Sequence, residues 1–248
     1  MTKRPLRAFL ARNPFPRGLT DGLFYREKMR AIHRVAPARL GNHGARPRIL
    51  EIGGGRSGLA RLLYPDAEVI TLDVDFEQIR RRPEDAASGF VCGDARQLPF
   101  EDGTFDAITL FDVLEHIHED QLAAREAMRV TRSNGVILVS TPNADWRYPF
   151  HGLMKPLCPT ETELMASWGH VRRGYSRQEL IDLFGTSPER SATFINPVTS
   201  FYHDIAFSRL PRRARQVVYI LTAPVISIGY LAHLSSTRGT ETAFAWRL

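Results

Sequence analysis

The residues of this chain that could carry chemistry gather between positions 51 and 118. Glu51-Ile52-Gly53-Gly54-Gly55-Arg56-Ser57-Gly58 follows a short apolar run. Glycines at such a turn let the backbone bend sharply and approach a ligand with no Cβ in the way. A helix starting just beyond it presents unpaired N–H groups to anionic atoms. Gly53, Gly55 and Gly58 satisfy the Gly-x-Gly-x-x-Gly spacing of dinucleotide turns, and Asp73, with Val74 beside it, lies at about the distance of a ribose-binding acid. Gly93-Asp94-Ala95 and Phe111-Asp112-Val113-Leu114-Glu115-His116-Ile117 follow two further apolar runs. A lone Asp in such a place is a turn or cap residue. In series, at successive strand ends, these acids fall where open α/β sheets bind ligands.

The elements that must position them alternate. Arg48–Ile52, Val69–Asp73, Phe90–Cys92, Phe105–Phe111 and Val136–Val139 read as strands, nearly continuous in apolar character, as helix-covered parallel sheets require. Leu59, Leu62 and Leu63 form a helical stripe that Pro65 ends, and Ala123, Ala127 and Val130 mark another helix. Ser176-Arg177-Gln178-Glu179 is a capping box, and Gly185 is a natural stop for the helix it opens. Ala192–Phe201 and Ala243–Trp246 read as later strands, and Leu19–Leu40 as a helix ended by Gly41-Asn42-His43-Gly44. The fold class expected is therefore α/β: a doubly wound, mostly parallel, seven-stranded sheet. Residues 1–45 form a helical extension, residues 46–248 the main domain, and residues 204–236 an apolar helical insertion before the last strand.

Three features favour S-adenosylmethionine over a nicotinamide cofactor. Glu51 stands two residues before the first glycine, where dinucleotide folds usually carry an apolar residue. Gly93-Asp94-Ala95 is followed by Leu98-Pro99-Phe100, and the fourth strand ends in Asp112-x-Leu114-Glu115-His116. From Ile49 to about Pro142 the chain resembles a class I S-adenosylmethionine-dependent methyltransferase of the type 11 group. Ser57 departs from it, standing where the group's loop commonly has a third glycine. The resemblance implies that Glu51 orders the loop, with Gly53, Gly54 and Gly55 against the cofactor's amino-acid end. It implies that Asp73 and Val74 hold the ribose side, that Asp94 and Ala95 meet the adenine, and that Phe111 lines the methionine end. Methyl transfer then needs chiefly an acceptor held in line, and a base only where the acceptor must lose a proton. His116 is the first candidate base, with His170 and His118 as others. Trp168-Gly169-His170-Val171-Arg172-Arg173-Gly174-Tyr175 suits an anionic or hydroxylated acceptor.

The acceptor expected is a small or lipid-linked molecule methylated at oxygen. A member of the fold that binds without chemistry is the main alternative, with a nicotinamide oxidoreductase or an RNA methyltransferase behind it. The net charge of +6 owes most to arginines, clustered at positions 80–82, 172–173 and 209–215. Residues 217–234 carry no Asp, Glu, Lys or Arg, and Pro224 and Gly229 are expected to interrupt any helix there. A pair of helices packed on the sheet or over the cleft is the plainer expectation. Peripheral contact of residues 209–234 with an anionic membrane is the sharper one. Cys92 and Cys158 offer neither a disulfide framework nor metal-ligand spacing, so no metal is expected. Met1–Pro5 lacks an apolar core of a secretory signal. A cytoplasmic location is expected, with peripheral contact at the inner membrane face.

Overall fold

Short aliphatic runs covered on both faces make the centre of the sheet. In the computed structural model, which describes residues 2–13, 21–41, 46–55, 57–77, 89–234 and 237–248, the strands are β1 (Arg48–Ile52), β2 (Glu68–Asp73), β3 (Gly89–Cys92), β4 (Phe105–Phe111), β5 (Thr131–Pro142), β6 (Arg190–Phe194) and β7 (Glu241–Arg247). They form one sheet in the order β3-β2-β1-β4-β5-β7-β6. β1 to β5 run parallel, and β7 is antiparallel to both of its neighbours. The strand order reverses at β1 and β4, so the crevice for a ligand opens beyond their carboxyl ends.

One face of the sheet is covered by α1 (Leu6–Ala11), α2 (Asp21–Val35) and α3 (Leu59–Leu63). Met29, Ile32 and Val35 pack there with Ile49, Val69, Ala107 and Ala243. The N-terminal segment thus contributes directly to the main core. The other face is covered by α4 (Asp120–Val130) and α6 (Arg177–Phe184), whose Ala123, Ala127, Leu180 and Phe184 pack with Leu50, Ile108, Ile137 and Trp246. A third cluster joins α5 (Glu161–Trp168), α7 (Ser200–Ala206) and α8 (Arg212–Ala232) through Leu164, Tyr202, Ile205, Tyr219 and Ile226.

Several expectations need correction. The strand expected over Ala192–Phe201 stops at Phe194, because Ile195 takes a φ of 55° and Asn196 turns the chain. The Asn196 Oδ1 accepts from the N–H groups of Val198 (2.9 Å) and Thr199 (3.0 Å), which starts α7 at Ser200. α8 is a single helix running through Pro224 and Gly229, neither of which interrupts it. Gly229 is needed for packing, since a Cβ there would stand 2.6 Å from a Val198 methyl group. The helix expected to run to Leu40 ends at Val35, and residues 42–45 and the arginines at 80–82 lie outside the described residues.

Candidate functional site

The glycine loop is built around a buried acid. Glu51 ends up 1% exposed, with Oε1 accepting from the Ala60 N–H (3.0 Å) and Oε2 from the Thr71 hydroxyl (3.2 Å). The first turn of α3 is therefore engaged by the protein's own carboxylate. A Cβ at Gly54 would stand 2.6 Å from the Glu51 Cγ, so only glycine lets the loop lie over that side chain. Gly53 and Gly55 have φ of 63° and 44°. Asp73, at the end of β2, accepts from the Gly55 N–H through Oδ2 (3.0 Å) and from the Asp75 N–H through Oδ1 (3.0 Å). Each oxygen keeps acceptor capacity on its open side. Val74 beside it is 79% exposed, an apolar surface next to a pair of acceptors. After β3, Asp94 is gripped by the Arg96 guanidinium at 2.6–3.0 Å, which holds its carboxyl below the usual range. Ala95 is buried against Leu98 and Leu72.

Beyond β4 the chain lines a cavity of about 460 Å³. Phe24, Tyr25 and Lys28 of α2, Asp112, Glu115 and His116 after β4, Trp168 at the end of α5 with His170 beyond it, and His203 of α7 with Phe207 just after that helix all face it. Asp112 holds a φ of 54°, a left-handed conformation that costs a non-glycine residue of order 1 kcal/mol or more. Its carboxylate is fixed there by the Ser140 hydroxyl (2.7 Å) and by an ion pair with Lys28. Burial pulls the Lys28 ammonium below its ordinary range, against the attraction of Glu241 and Glu115. Glu115 is 0% exposed, and burial pushes it up to about 8. The His116 Nδ1 lies 3.1 Å from the Gly169 carbonyl, and its ring meets that of His170 edge to face at 4.6 Å. Burial, aided by His116, draws His170 down to about 4, and burial draws His203 down to about 3.

Residues 50–139, from β1 through β5, match the family described as a methyltransferase domain. That stretch is a methyltransferase domain of the class I S-adenosylmethionine-dependent kind that its motifs resemble. The demethylmenaquinone methyltransferase of Renibacterium salmoninarum is 35% identical over 111 residues, which are 42% of this chain and 44% of that protein. The ubiquinone/menaquinone biosynthesis C-methyltransferase of Pseudomonas aeruginosa is 30% identical over 132 residues, 49% of this chain and 50% of that protein. The chain thus spans about half the length of these curated relatives. A Mesorhizobium loti S-adenosylmethionine-dependent methyltransferase has the same fold, with a TM-score of 0.59 at 14% identity over 93% of this chain and 100% of that one.

The residues of the methyltransferase domain fit that cofactor. The uncrowded side of Gly55, where a Cβ would stand 3.6 Å from Asp73 Oδ2, the paired acceptor oxygens of Asp73 and the exposed Val74 make a cradle on the edge of the sheet. Asp94 belongs to the same edge, but Arg96 already occupies its carboxylate. Phe111 packs into the core shared with α2, and its neighbour Asp112 is the residue that reaches the cavity. Of the two histidines singled out first, both His116 and His170 line the cavity, whereas His118 is exposed and does not. Arg172 and Arg173 are not available to an anionic acceptor. Arg172 pairs with Asp120 (3.0 Å) and Glu179, and Arg173 with Glu161. Sequence reasoning missed Lys28, His203 and Glu241, which reach the cavity from distant parts of the chain and carry no local signal. Glu115 stood in plain sight within Asp112-x-Leu114-Glu115-His116, a second carboxylate between Leu114 and the candidate base.

Proposed function

We propose that the protein moves the methyl group of S-adenosylmethionine to a ring carbon of a hydroxylated aromatic acceptor that bears a lipid chain. The observation that carries this reading is the cavity itself. It opens beyond the carboxyl end of β4, the strand paired with β1 that leads into the glycine loop, is walled by Phe24, Tyr25, Trp168 and Phe207, and has a volume that suits a bicyclic ring with the start of a chain. Bound at the loop, the cofactor would supply a sulfonium-activated methyl group, so the protein's task is to hold the acceptor in line. Because a carbonyl only accepts, the His116 Nδ1 must donate to Gly169, which leaves Nε2 with a lone pair for the proton of a ring hydroxyl. His170, neutral near pH 7, stands beside it. Loss of that proton enriches the adjoining ring carbon, which forms the new C–CH3 bond as the S–CH3 bond breaks. The carbon's own hydrogen then leaves as a proton and aromaticity returns. The relatives, named for quinone methylation and one of them a C-methyltransferase, favour carbon over the oxygen expected earlier.

A membrane position supports the lipid chain. Val217, Ile220, Leu221, Val225, Ile228, Leu231 and Leu234 are all more than half exposed on or just after α8, whose amino end follows Arg209 and carries Arg212 and Arg213. By length and composition alone α8 could cross a bilayer. Its Tyr219, Ile226 and Gly229 are buried against the domain, however, and Arg30 lies over the Tyr230 ring at 4.0 Å, which favours lying on the surface. The test is to supply tritium-labelled S-adenosylmethionine with a prenylated naphthohydroquinone or its chainless analogue in anionic vesicles. An acid-stable, C-methylated product from the prenylated compound is expected. No labelled product from either compound would refute the reading.

A further inference from the structure

Glu115, His116 and His170 converge more closely than an aromatic pocket requires. One potential ligand atom from each lies within 4.8 Å of the other two. Ligand atoms sharing one ion at about 2.0–2.2 Å stand about 3–3.5 Å apart, a gap that small side-chain rotations close. We propose that these three residues bind one divalent transition-metal ion at the acceptor end of the cavity.

Four observations support the site. Glu115 is fully buried, yet its Oε1 has no hydrogen-bond partner, and such an oxygen wants a cation or a donor. Its other oxygen accepts from the Thr141 hydroxyl (3.3 Å), which steers the carboxylate as partners of metal ligands commonly do. The nearby ammonium of Lys28 is committed to Asp112. Secondly, donation by the His116 Nδ1 to the Gly169 carbonyl fixes the tautomer and leaves Nε2 as a ligand atom. Thirdly, the His170 Nδ1 is buried without a partner. Fourthly, the two segments are clamped together. The Val171 N–H donates to the Glu115 carbonyl (2.9 Å), and the His170 N–H donates to the Met165 carbonyl (3.0 Å). Two imidazoles and a carboxylate are the donor set of open zinc sites and suit zinc, cobalt and nickel over magnesium or calcium.

The inference deepens the function proposed above and rests on that reading only in its consequence. With the ion seated, His116 and His170 would act as its ligands, which replaces the base role given to His116 above, and a ring hydroxyl reaching the open coordination position would be made more acidic by the ion and release its proton to solvent. Binding itself is tested without turnover. The full chain, stripped with chelator, is titrated with Co2+ and followed by visible absorption, with zinc followed by calorimetry. One equivalent with the absorption of a cobalt–imidazole site is expected. His116→Ala and His170→Ala should each weaken it at least tenfold, while His118→Ala leaves it unchanged. S-adenosylhomocysteine binding reports that each variant is folded, and Glu115→Gln is a third probe. No cobalt binding at 100 µM, or binding unmoved by both histidine substitutions, overturns the site and leaves the imidazoles as free bases. Failure of the prenylated hydroquinone as acceptor, with cobalt bound at these residues, would refute the acceptor and leave the metal site standing.

Discussion

Replacing Leu221 and Leu231 together by Glu tests how α8 meets a membrane. The two side chains are 74% and 75% exposed, so most of their apolar surface remains to be buried. Full burial of a Leu side chain contributes about 2 kcal/mol, so each should add about 1.5 kcal/mol to partition into the interface. Losing both removes about 3 kcal/mol, roughly a 150-fold weaker partition, before any repulsion between the new carboxylates and anionic lipid. Arg212 and Arg213 at the amino end of α8 should add about 1 kcal/mol each near an anionic surface, a contribution that salt screens. Co-sedimentation with vesicles containing about a third anionic lipid reads both effects, with neutral vesicles as the reference. The fold should be indifferent, because surface side chains of this kind change stability by about 0.5 kcal/mol or less. Wild-type protein that stays in solution, or a double variant that binds within twofold of it, would refute the reasoning.

Other outcomes follow from the site. Asp73→Ala removes the acceptor for the Gly55 and Asp75 N–H groups and should weaken S-adenosylhomocysteine binding at least tenfold by calorimetry. Unchanged affinity would remove Asp73 from the site. Gly54→Ala forces a Cβ to 2.6 Å from the Glu51 side chain. It should cost about 1–3 kcal/mol in a urea melt and impair cofactor binding, and a variant as stable as wild type would contradict the packing. Glu27 is buried, with Oε2 unpartnered, and burial lifts it from 4.5 to about 7. The folded state therefore holds a proton that the unfolded state releases, and stability falls as pH rises between those values. The loss is roughly 3 kcal/mol by pH 8. Glu27→Gln should be the more stable protein at pH 8 and no better at pH 4. Parallel pH profiles for the two proteins in urea would show that Glu27 is not the group responsible.

Much of the glycine-loop half of the sheet was legible because its signals are local. β1, β2 and β4 begin and end within a residue of the apolar runs, and Glu51, Gly54 and Asp73 lie on the turns those runs define. The acceptor half was harder, because its walls are assembled from segments far apart in the chain. Lys28 comes from the first long helix, His203 from α7 and Glu241 from the last strand. Arg172 and Arg173 misled for the opposite reason, since their partners Asp120 and Glu161 are remote and turn an apparent anion site into structural ion pairs. α5 passed unnoticed although Thr160 and Glu163 form a capping box as complete as that of Ser176 and Glu179. Pro224 was read as a breaker, but it lies on the exposed side of α8, where water can satisfy the carbonyl its ring leaves unpaired.

The pairing of β6 with β7 has a consequence for how such a protein could diversify. Phe194 lies opposite Glu241, so the residues between them leave and rejoin the sheet at neighbouring points. Everything in that excursion, α7 and α8 included, is in effect an enlarged hairpin loop. The entropy of closing a loop grows only by about 0.6 kcal/mol per doubling of length, so the sheet tolerates excursions of many sizes. Exchange of residues 195–240 for another segment would replace one wall of the cavity and the exposed apolar face of α8 at once. Glu51, Gly54 and Asp73, on the far strands, would be left undisturbed. Substrate choice and membrane address would then be inherited as a single cassette, separable from the methyl-donor half.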